Sequence, residues 1–384
     1  MKLCEATPIL WKQRRGYCLS NRSIELTVLL GGGHIADFRL CGSPYNLLFE
    51  SPWSTIEPSG YSPDVHSGKY GKGAVGRFLS GFTGHALVLA YFGMPSPEEA
   101  ARGLPLHGEA ACAEWEVLSS SADGKKAHLS LEVALPEYRL RLKRTLLLSA
   151  QAFSILIEEQ LTNLGNAELD YQWVEHATFG EPFFAREESQ LFLSAKRGRT
   201  WPEGYEGKEL LASNSNFAWP WAKTLGGELV DISKPFLRGG TGFVAALLTE
   251  EQRAQGFAAV HNQRLKTVAG YFFDRNRFPW IALWEEDCAR QYAPWNGTTR
   301  ARGVEFGTSP MPTGLQSAQQ AKTLFGTPVF ATLPAGDTVT TSYQLFATPV
   351  PADWRGITDV TATLDLSLYD TDGQNLRIPA SGKA

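Results

Sequence analysis

The sequence lacks the signatures of several large protein classes. Its 384 residues contain no run of eighteen apolar residues, which a membrane-spanning helix would need. They contain no Walker phosphate loop, no Gly-x-Ser-x-Gly element and no His-Glu-x-x-His motif. The 36 Lys and Arg and the 40 Asp and Glu give a net charge of −4, without a basic stripe. We therefore expect neither a membrane nor a nucleic acid as a partner.

Cysteine is also scarce. The five cysteines are odd in number, widely scattered and free of any Cys-x-x-Cys pair. Neither a zinc knuckle nor a disulfide framework is indicated, so reduced thiols and no bound metal are expected. The first residues form no apolar segment of signal-peptide length, which favours a cytoplasmic location.

Aromatic residues, in contrast, are abundant, with 11 Trp, 12 Tyr and 21 Phe. Many can be explained as core, because large rings dominate core burial. Five tryptophans lie beside Pro, Gly or charged residues and are predicted on loops, where a ring could stack on a sugar: Trp53, Trp201, Trp219, Trp221 and Trp295.

Apolar and polar residues alternate along much of the chain, which is typical of half-buried strands. The runs 128–135, 138–143 and 153–161 are separated by short turns and predict an antiparallel meander. Further strands are predicted at 24–30, 35–40, 243–248, 257–261, 280–284 and 339–347. One short helix is expected at 97–102, capped by Ser96, and no strand–helix–strand series occurs. The fold class is therefore all-β, a large twisted antiparallel β-sandwich.

No linker or repeat divides the chain, so residues 1–384 are expected to form one domain. Two weakly patterned segments, 51–73 and 197–240, are long for simple connections and are expected to wall a cleft. The tail after residue 370 is expected to be poorly ordered.

Three residues are the main candidates for chemistry. Alternation along the strand that ends at His176 puts this histidine on the face opposite Glu175, and a strand-end histidine can act as a general acid or base. Glu305 lies between Val304 and Phe306, and partial burial would raise the pKa of its carboxyl. His107 precedes Gly108, which allows close approach to a ligand. A core histidine, an exposed edge carboxylate and a loop histidine are the respective structural alternatives.

Other titratable residues are weaker candidates. Arg77 and His85 follow glycine, and Asp274 could hydrogen-bond to sugar hydroxyls. Each also has an ordinary structural explanation.

The candidate segments resemble the aldose 1-epimerase (galactose mutarotase-like) family in order and spacing, over about residues 24–348. The resemblance rests on His107-Gly108, on Leu161-Thr-Asn-Leu-Gly-Asn leading into His176-Ala-Thr-Phe, on Gly303-Val-Glu305 with Thr308 and Pro310, and on the turn Pro334-Ala-Gly-Asp. The sequence departs from the family at Glu175, where Asn is frequent, and at Glu109, where Gly is common.

The resemblance implies the galactose mutarotase-like supersandwich fold and an isomerase that interconverts the α and β anomers of a hexose through the open-chain form. Glu305 would be the base and His176 the acid, without a metal or organic cofactor. His107, Arg77, Asp274 and Trp284 would bind the sugar. The partner would be a small-molecule sugar, and the protein a monomer or homodimer.

Three alternatives stay open on the sequence. The substrate could be a phosphorylated hexose, held by Arg77, Arg275 or Arg300. The chain could be a non-catalytic carbohydrate-binding or regulatory protein on the same fold. It could also be a polysaccharide lyase or glycosidase module, although no obvious pair of catalytic carboxylates is present.

Overall fold

Antiparallel strands dominate the computed structural model, which describes residues 4–382. In chain order the strands are β1 (Glu5–Trp11), β2 (Arg14–Ser20), β3 (Ile24–Leu29), β4 (Ile35–Leu40), β5 (His85–Ala90), β6 (Glu116–Ala122), β7 (Lys126–Leu135), β8 (Leu140–Ser149), β9 (Ser154–Asn163), β10 (Leu169–Gly180), β11 (Ser189–Leu193), β12 (Ala195–Thr200), β13 (Asn216–Ala218), β14 (Trp221–Lys223), β15 (Leu229–Asp231), β16 (Thr241–Thr249), β17 (Gln255–Asn262), β18 (Thr267–Asp274), β19 (Trp280–Asp287), β20 (Arg300–Gly307), β21 (Thr323–Leu324), β22 (Thr327–Pro328), β23 (Ala331–Leu333), β24 (Thr338–Pro349), β25 (Asp359–Ala362), β26 (Leu366–Tyr369) and β27 (Asn375–Ile378). The helices are α1 (Pro63–Tyr70), α2 (Gly73–Gly81), α3 (Pro97–Ala101) and α4 (Leu315–Ala321), with short 3₁₀ turns at Pro58–Gly60 and Ala110–Cys112. Between residues 4 and 382, no helix is long and apolar enough to cross a membrane.

Two large sheets form the main layers. The first has fourteen strands, in the order β1-β2-β3-β4-β5-β10-β20-β19-β16-β12-β13-β14-β15, with β23 also paired to β10. The second has eight strands, in the order β11-β17-β18-β24-β9-β8-β7-β6. Apolar side chains from both sheets, such as Leu131 and Ile157 from the second and Leu89 and Phe306 from the first, meet in one buried core. The predicted all-β antiparallel sandwich is confirmed.

Most predicted elements are also confirmed. The meander corresponds to β7, β8 and β9, although β8 begins only at Leu140 because Arg139 turns with a φ of 51°. Helix α3 has the expected cap, in which the Ser96 hydroxyl accepts a hydrogen bond from Glu99 N and the Glu99 side chain bonds back to Ser96 N.

Two expectations about irregular segments are wrong. The segment 51–73, expected as a long loop that walls a cleft, instead contains helix α1 and the first residue of α2. The tail after residue 370 contains β27, which pairs with β26 in a three-stranded sheet with β25. This small sheet is ordered because its apolar residues, including Leu368 and Ile378, pack against Phe257 and Phe346 on the outer face of the second large sheet. Residues 383 and 384 of the predicted tail lie outside the described residues.

A buried polar network lies in the core beneath β10. Glu175 accepts hydrogen bonds from Trp173 Nε1 at 2.8 Å, Tyr343 Oη at 3.0 Å and Arg144 Nη2 at 3.3 Å, and its Oε2 lies 2.8 Å from His85 Nε2. His85, Arg144 and Glu175 are fully buried. The expectation that Glu175 lies on the face opposite His176 agrees with this position.

The same guanidinium also bonds to a second carboxylate, because Arg144 Nε donates to Glu159 Oε1 at 2.5 Å. Burial, together with the nearby charge of Glu175, raises the pKa of Glu159 to about 8 against the opposing effect of Arg144. Glu159 therefore resists ionisation, and Arg144 bonds to both Glu159 and Glu175.

These buried contacts of Arg144 lead to a prediction about stability. Arg144→Met should lower the free energy of unfolding by about 3–5 kcal/mol, because it leaves a buried carboxylate without its partner. Glu159→Gln should cost little near neutral pH, because it replaces a neutral group. The pKa of Glu159 is about 8 in the folded state and about 4.3 in the unfolded chain, so the wild type should lose stability as pH rises from about 4.3 to about 8, and Glu159→Gln should lack this loss. Urea unfolding between pH 6 and 9 measures both effects, and equal costs for the two variants would contradict the assignment.

Candidate active site

A cavity of about 490 Å³ lies on the face of the first sheet that points away from the core. Its volume falls in the range of small-molecule pockets, roughly 300–1,000 Å³. Strands β10, β16, β19 and β20 supply one wall and α2 a second. The segments 92–94, 106–107, 201–206 and 290–295 and Pro312 supply the remainder. The lining is rich in rings, namely Phe78, Phe82, Phe92, His107, His176, Trp201, Tyr205, Trp284, Tyr292 and Trp295.

The pairing of β10 with β20 places the two main candidates side by side. His176 lies directly opposite Glu305 in the antiparallel register. The distance from His176 Nε2 to Glu305 Oε1 is 3.3 Å, and both side chains are buried at the cavity wall. Glu305 Oε1 has no hydrogen-bond partner within the described part of the chain. A Cβ on Gly303 would lie 2.1 Å from this oxygen, so only glycine leaves room for the carboxylate.

The electrostatics of this pair follow from its burial. Burial raises the pKa of Glu305 well above its ordinary value and lowers the pKa of His176 to about 3. Both shifts favour the uncharged forms, which are a protonated carboxyl on Glu305 and an unprotonated imidazole on His176. His176 Nδ1 lies 3.2 Å from Thr178 Oγ1, which helps to hold the ring. The pair can accept a proton at one atom and donate a proton at another.

His107 adds a hydrogen-bond donor to the cavity. Its Nδ1 accepts a hydrogen bond from Gly93 N at 3.1 Å, so the neutral ring carries its proton on Nε2. Burial and the neighbouring His176 lower the pKa of His107 well below its ordinary value, which keeps the ring neutral. Gly108 is required beside it, because a Cβ there would lie 1.9 Å from Leu89 O.

A second polar cluster holds the ring of Trp284. Trp284 Nε1 donates to Tyr205 Oη at 2.7 Å, and Tyr205 Oη donates to Glu286 Oε2 at 2.8 Å. Arg290 Nη1 donates to the same two acceptors, at 2.6 Å and 3.1 Å, and Arg290 Nε donates to Glu206 Oε1 at 2.8 Å. Among residues 4–382, Arg290 is the only lysine or arginine that lines the cavity.

The structure therefore brings together part of the residue set predicted from the sequence. His107, His176, Glu305 and Trp284 line one cavity, as does Trp201 together with Trp295. Trp53 packs behind Trp295, with ring centroids 5.1 Å apart. Trp219 and Trp221 are not in the lining, and Trp221 belongs to strand β14 rather than to a loop.

The other candidates lie elsewhere. On α2, residues 75, 78 and 79 face the cavity at helical spacing, so Arg77 points away and lines a separate cavity of about 290 Å³ with Glu109 and Cys112. Asp274 ends β18 in the second sheet, where its carboxylate accepts a hydrogen bond from Asn276 N at 2.9 Å. His85 belongs to the core network. The interpretation of Arg77 and Asp274 as sugar-binding residues does not fit these positions.

Sequence reasoning missed the Tyr205, Glu206, Arg290 and Tyr292 group. Each of these residues lies within a few positions of Trp201 or Trp295 in the sequence. The local density of aromatic residues could therefore have indicated them as cavity residues. The pairing between the two segments was not visible, because the residues are separated by about eighty positions.

The unbonded oxygen of Glu305 leads to a second prediction about stability. The folded-state pKa of Glu305 is raised, so the protein should lose stability as pH rises from the ordinary glutamate pKa of about 4.3 towards that raised pKa. Glu305→Gln keeps the shape and removes the ionisation. The melting temperature of Glu305→Gln should therefore exceed that of the wild type by a margin that grows with pH, as a calorimetric pH series can measure. A margin independent of pH would contradict the assignment, and the exposed Glu251→Gln serves as a control.

No protein-family model and no curated protein matches the sequence. Solved structures do match. A candidate aldose 1-epimerase from Klebsiella pneumoniae subsp. pneumoniae has a TM-score of 0.63 and 17% identity, covering 89% of this chain and 82% of that one. A galactose mutarotase-like protein from Clostridium acetobutylicum has a TM-score of 0.60 and 14% identity, covering 91% and 100%. A candidate aldose 1-epimerase from Escherichia coli K12 has a TM-score of 0.56 and 15% identity, covering 87% and 99%. At these identities the likeness concerns the fold, and the chain has the galactose mutarotase-like fold.

Proposed function

We propose that this protein is an aldose 1-epimerase that interconverts the α and β anomers of a hexose or a related sugar. One observation carries the proposal: a buried carboxylate and imidazole lie 3.3 Å apart at the wall of a ring-lined cavity. Ring opening of a pyranose needs one group that removes the proton of the C1 hydroxyl and another that protonates the ring oxygen. A positioned acid and base each supply about 10²–10⁴-fold in rate.

The proton count of the pair fits this reaction. Once the proton of the pair has moved from Glu305 to His176, the carboxylate of Glu305 takes the proton of the C1 hydroxyl while the imidazolium of His176 gives its proton to the ring oxygen. The bond between C1 and the ring oxygen breaks, and C1 becomes an aldehyde. Rotation about C1–C2 followed by closure on the other face returns both protons. The pair holds one proton at every stage, so the site returns to its starting state without a net exchange with water.

The remaining lining suits a sugar ring. His107 presents its Nε2 proton to a sugar hydroxyl, and the flat faces of Trp284 and Trp201 can stack on the apolar face of a pyranose. The phosphorylated-hexose alternative is less well supported, because Arg77, Arg275 and Arg300 do not line the cavity. The one guanidinium that does, Arg290, already pairs with two carboxylates.

Polarimetry tests the proposed reaction directly. Freshly dissolved α-D-glucose and α-D-galactose should lose optical rotation faster with the protein than without it. Glu305→Gln and His176→Asn should each lower kcat by about 10²–10⁴-fold, because each removes one proton-transfer group. Asp274→Asn is a matched control outside the cavity and should keep full activity. If no hexose is accelerated but sugars still bind, the protein belongs instead to the non-catalytic carbohydrate-binding class.

The shared proton also predicts a pH profile. The value of kcat/KM should fall as pH drops towards about 3, where His176 and Glu305 both hold protons. It should fall again at higher pH, when the pair loses its only proton. Because the pKa of Glu305 is raised, this alkaline limb should lie above the ordinary glutamate pKa of about 4.3. His176→Asn needs only an ionised Glu305, so its residual activity should rise with pH over the same limb. An unchanged alkaline limb in this variant would contradict a shared proton.

A further inference from the structure

We propose that the cavity prefers a sugar that carries a positive charge, namely an amino sugar with its amine protonated, over neutral or anionic sugars. This inference rests on the proposed function and narrows its substrate class. It concerns the side of the cavity formed by the segments 201–206 and 290–295.

The charge count on this side is negative. Glu203 and Glu206 line the cavity, and Glu286 lies buried behind Tyr205. Arg290 is the opposing cation, and its hydrogen bonds to Glu206 and Glu286 compensate its charge. Glu203 is exposed at the rim and forms no ion pair within the described residues. Three carboxylates against one guanidinium repel a phosphate or carboxylate substituent and attract a cation.

The ring faces favour the same charge. A cation is attracted to the face of Trp or Tyr within about 6 Å of the ring centroid. This side of the cavity already holds one such contact, because the Arg290 guanidinium lies 4.5 Å from the Tyr205 ring centroid and 5.2 Å from that of Trp295. The rings of Trp201 and Trp284 also line the cavity and are available to a ligand.

Two buried polar atoms in the lining form no hydrogen bond within the described part of the chain, which is typical of a ligand site rather than a packing defect. Glu305 Oε1 is one, in a side chain that is 2% exposed, and Trp201 Nε1 is the other. The indole N–H is a donor and the carboxylate an acceptor, so hydroxyl groups of one sugar can satisfy both. The amine would then lie among the carboxylates and ring faces rather than at the reacting carbon.

The test compares sugars of similar shape and different charge. Anomer exchange is measured by NMR saturation transfer for D-glucosamine, 6-amino-6-deoxy-D-glucose, D-glucose, N-acetyl-D-glucosamine and D-glucose 6-phosphate, at a pH that keeps the amines protonated. At least one amino sugar should exceed glucose in kcat/KM by about fivefold, the range of a single cation–π contact. The acetylated and phosphorylated sugars should fall below glucose. Glu203→Gln should lower the amino-sugar to glucose ratio about threefold or more, and the exposed Glu251→Gln should leave that ratio unchanged.

Failure of this inference differs from failure of the proposed function. Equal kcat/KM for amino and neutral sugars, or a higher value for the phosphate, would overturn the charge preference and leave the epimerase proposal intact. If no sugar is epimerised, the epimerase proposal fails, and calorimetry on the wild-type protein decides the charge preference separately. Tighter binding of either amino sugar than of glucose would support the inference, and equal binding would overturn it.

Discussion

The register between strands β10 and β20 is the constraint on which the rest of the structure depends. It places His176 opposite Glu305 on the cavity face and sends Glu175 to the opposite face. Because side chains alternate along a strand, a slip of one residue would exchange the two faces. The slip would bury an imidazole among the core partners of Glu175 and would place Glu175 in the cavity. The core network and the candidate site are therefore determined by the same pairing.

The core face and the cavity face differ in how their buried glutamates are hydrogen-bonded. In the core, Glu175 is satisfied by Trp173, Tyr343 and Arg144, so its desolvation is offset by hydrogen bonds. At the cavity, Glu305 has no partner on one oxygen, and burial disfavours its ionised form. A fold optimised only for stability would satisfy or replace such a group. This contrast between the two faces of the paired strands β10 and β20 supports the proposal of a chemical role for Glu305 and a structural role for Glu175.

Local patterning was sufficient for most of the fold and for the centre of the site. Alternation identified the strands, and the face assignment of His176 against Glu175 followed from it. Helix α2 was not predicted from the sequence, because its three glycines give it poor intrinsic helix propensity. Burial of Phe78 and Leu79 stabilises it instead. The helical phase then decides that Phe78 faces the cavity while Arg77 faces another one. Contacts between distant segments, such as Tyr205 with Arg290, depend on tertiary structure and leave no periodic signal.

The ring-lined wall has a consequence for the proton pair. Apolar rings near His176, including Phe82 at 5.5 Å and Trp284 at 6.1 Å between ring centroids, limit the water that can solvate a charge there. Lower solvation strengthens the attraction between a carboxylate and an imidazolium and equally penalises either charge alone. The neutral and ion-paired forms of the pair therefore both avoid burying a single uncompensated charge. A reaction that only moves the proton between Glu305 and His176 passes between the neutral and the ion-paired forms. This property favours the proposed anomer exchange over chemistry that requires a lone charged base.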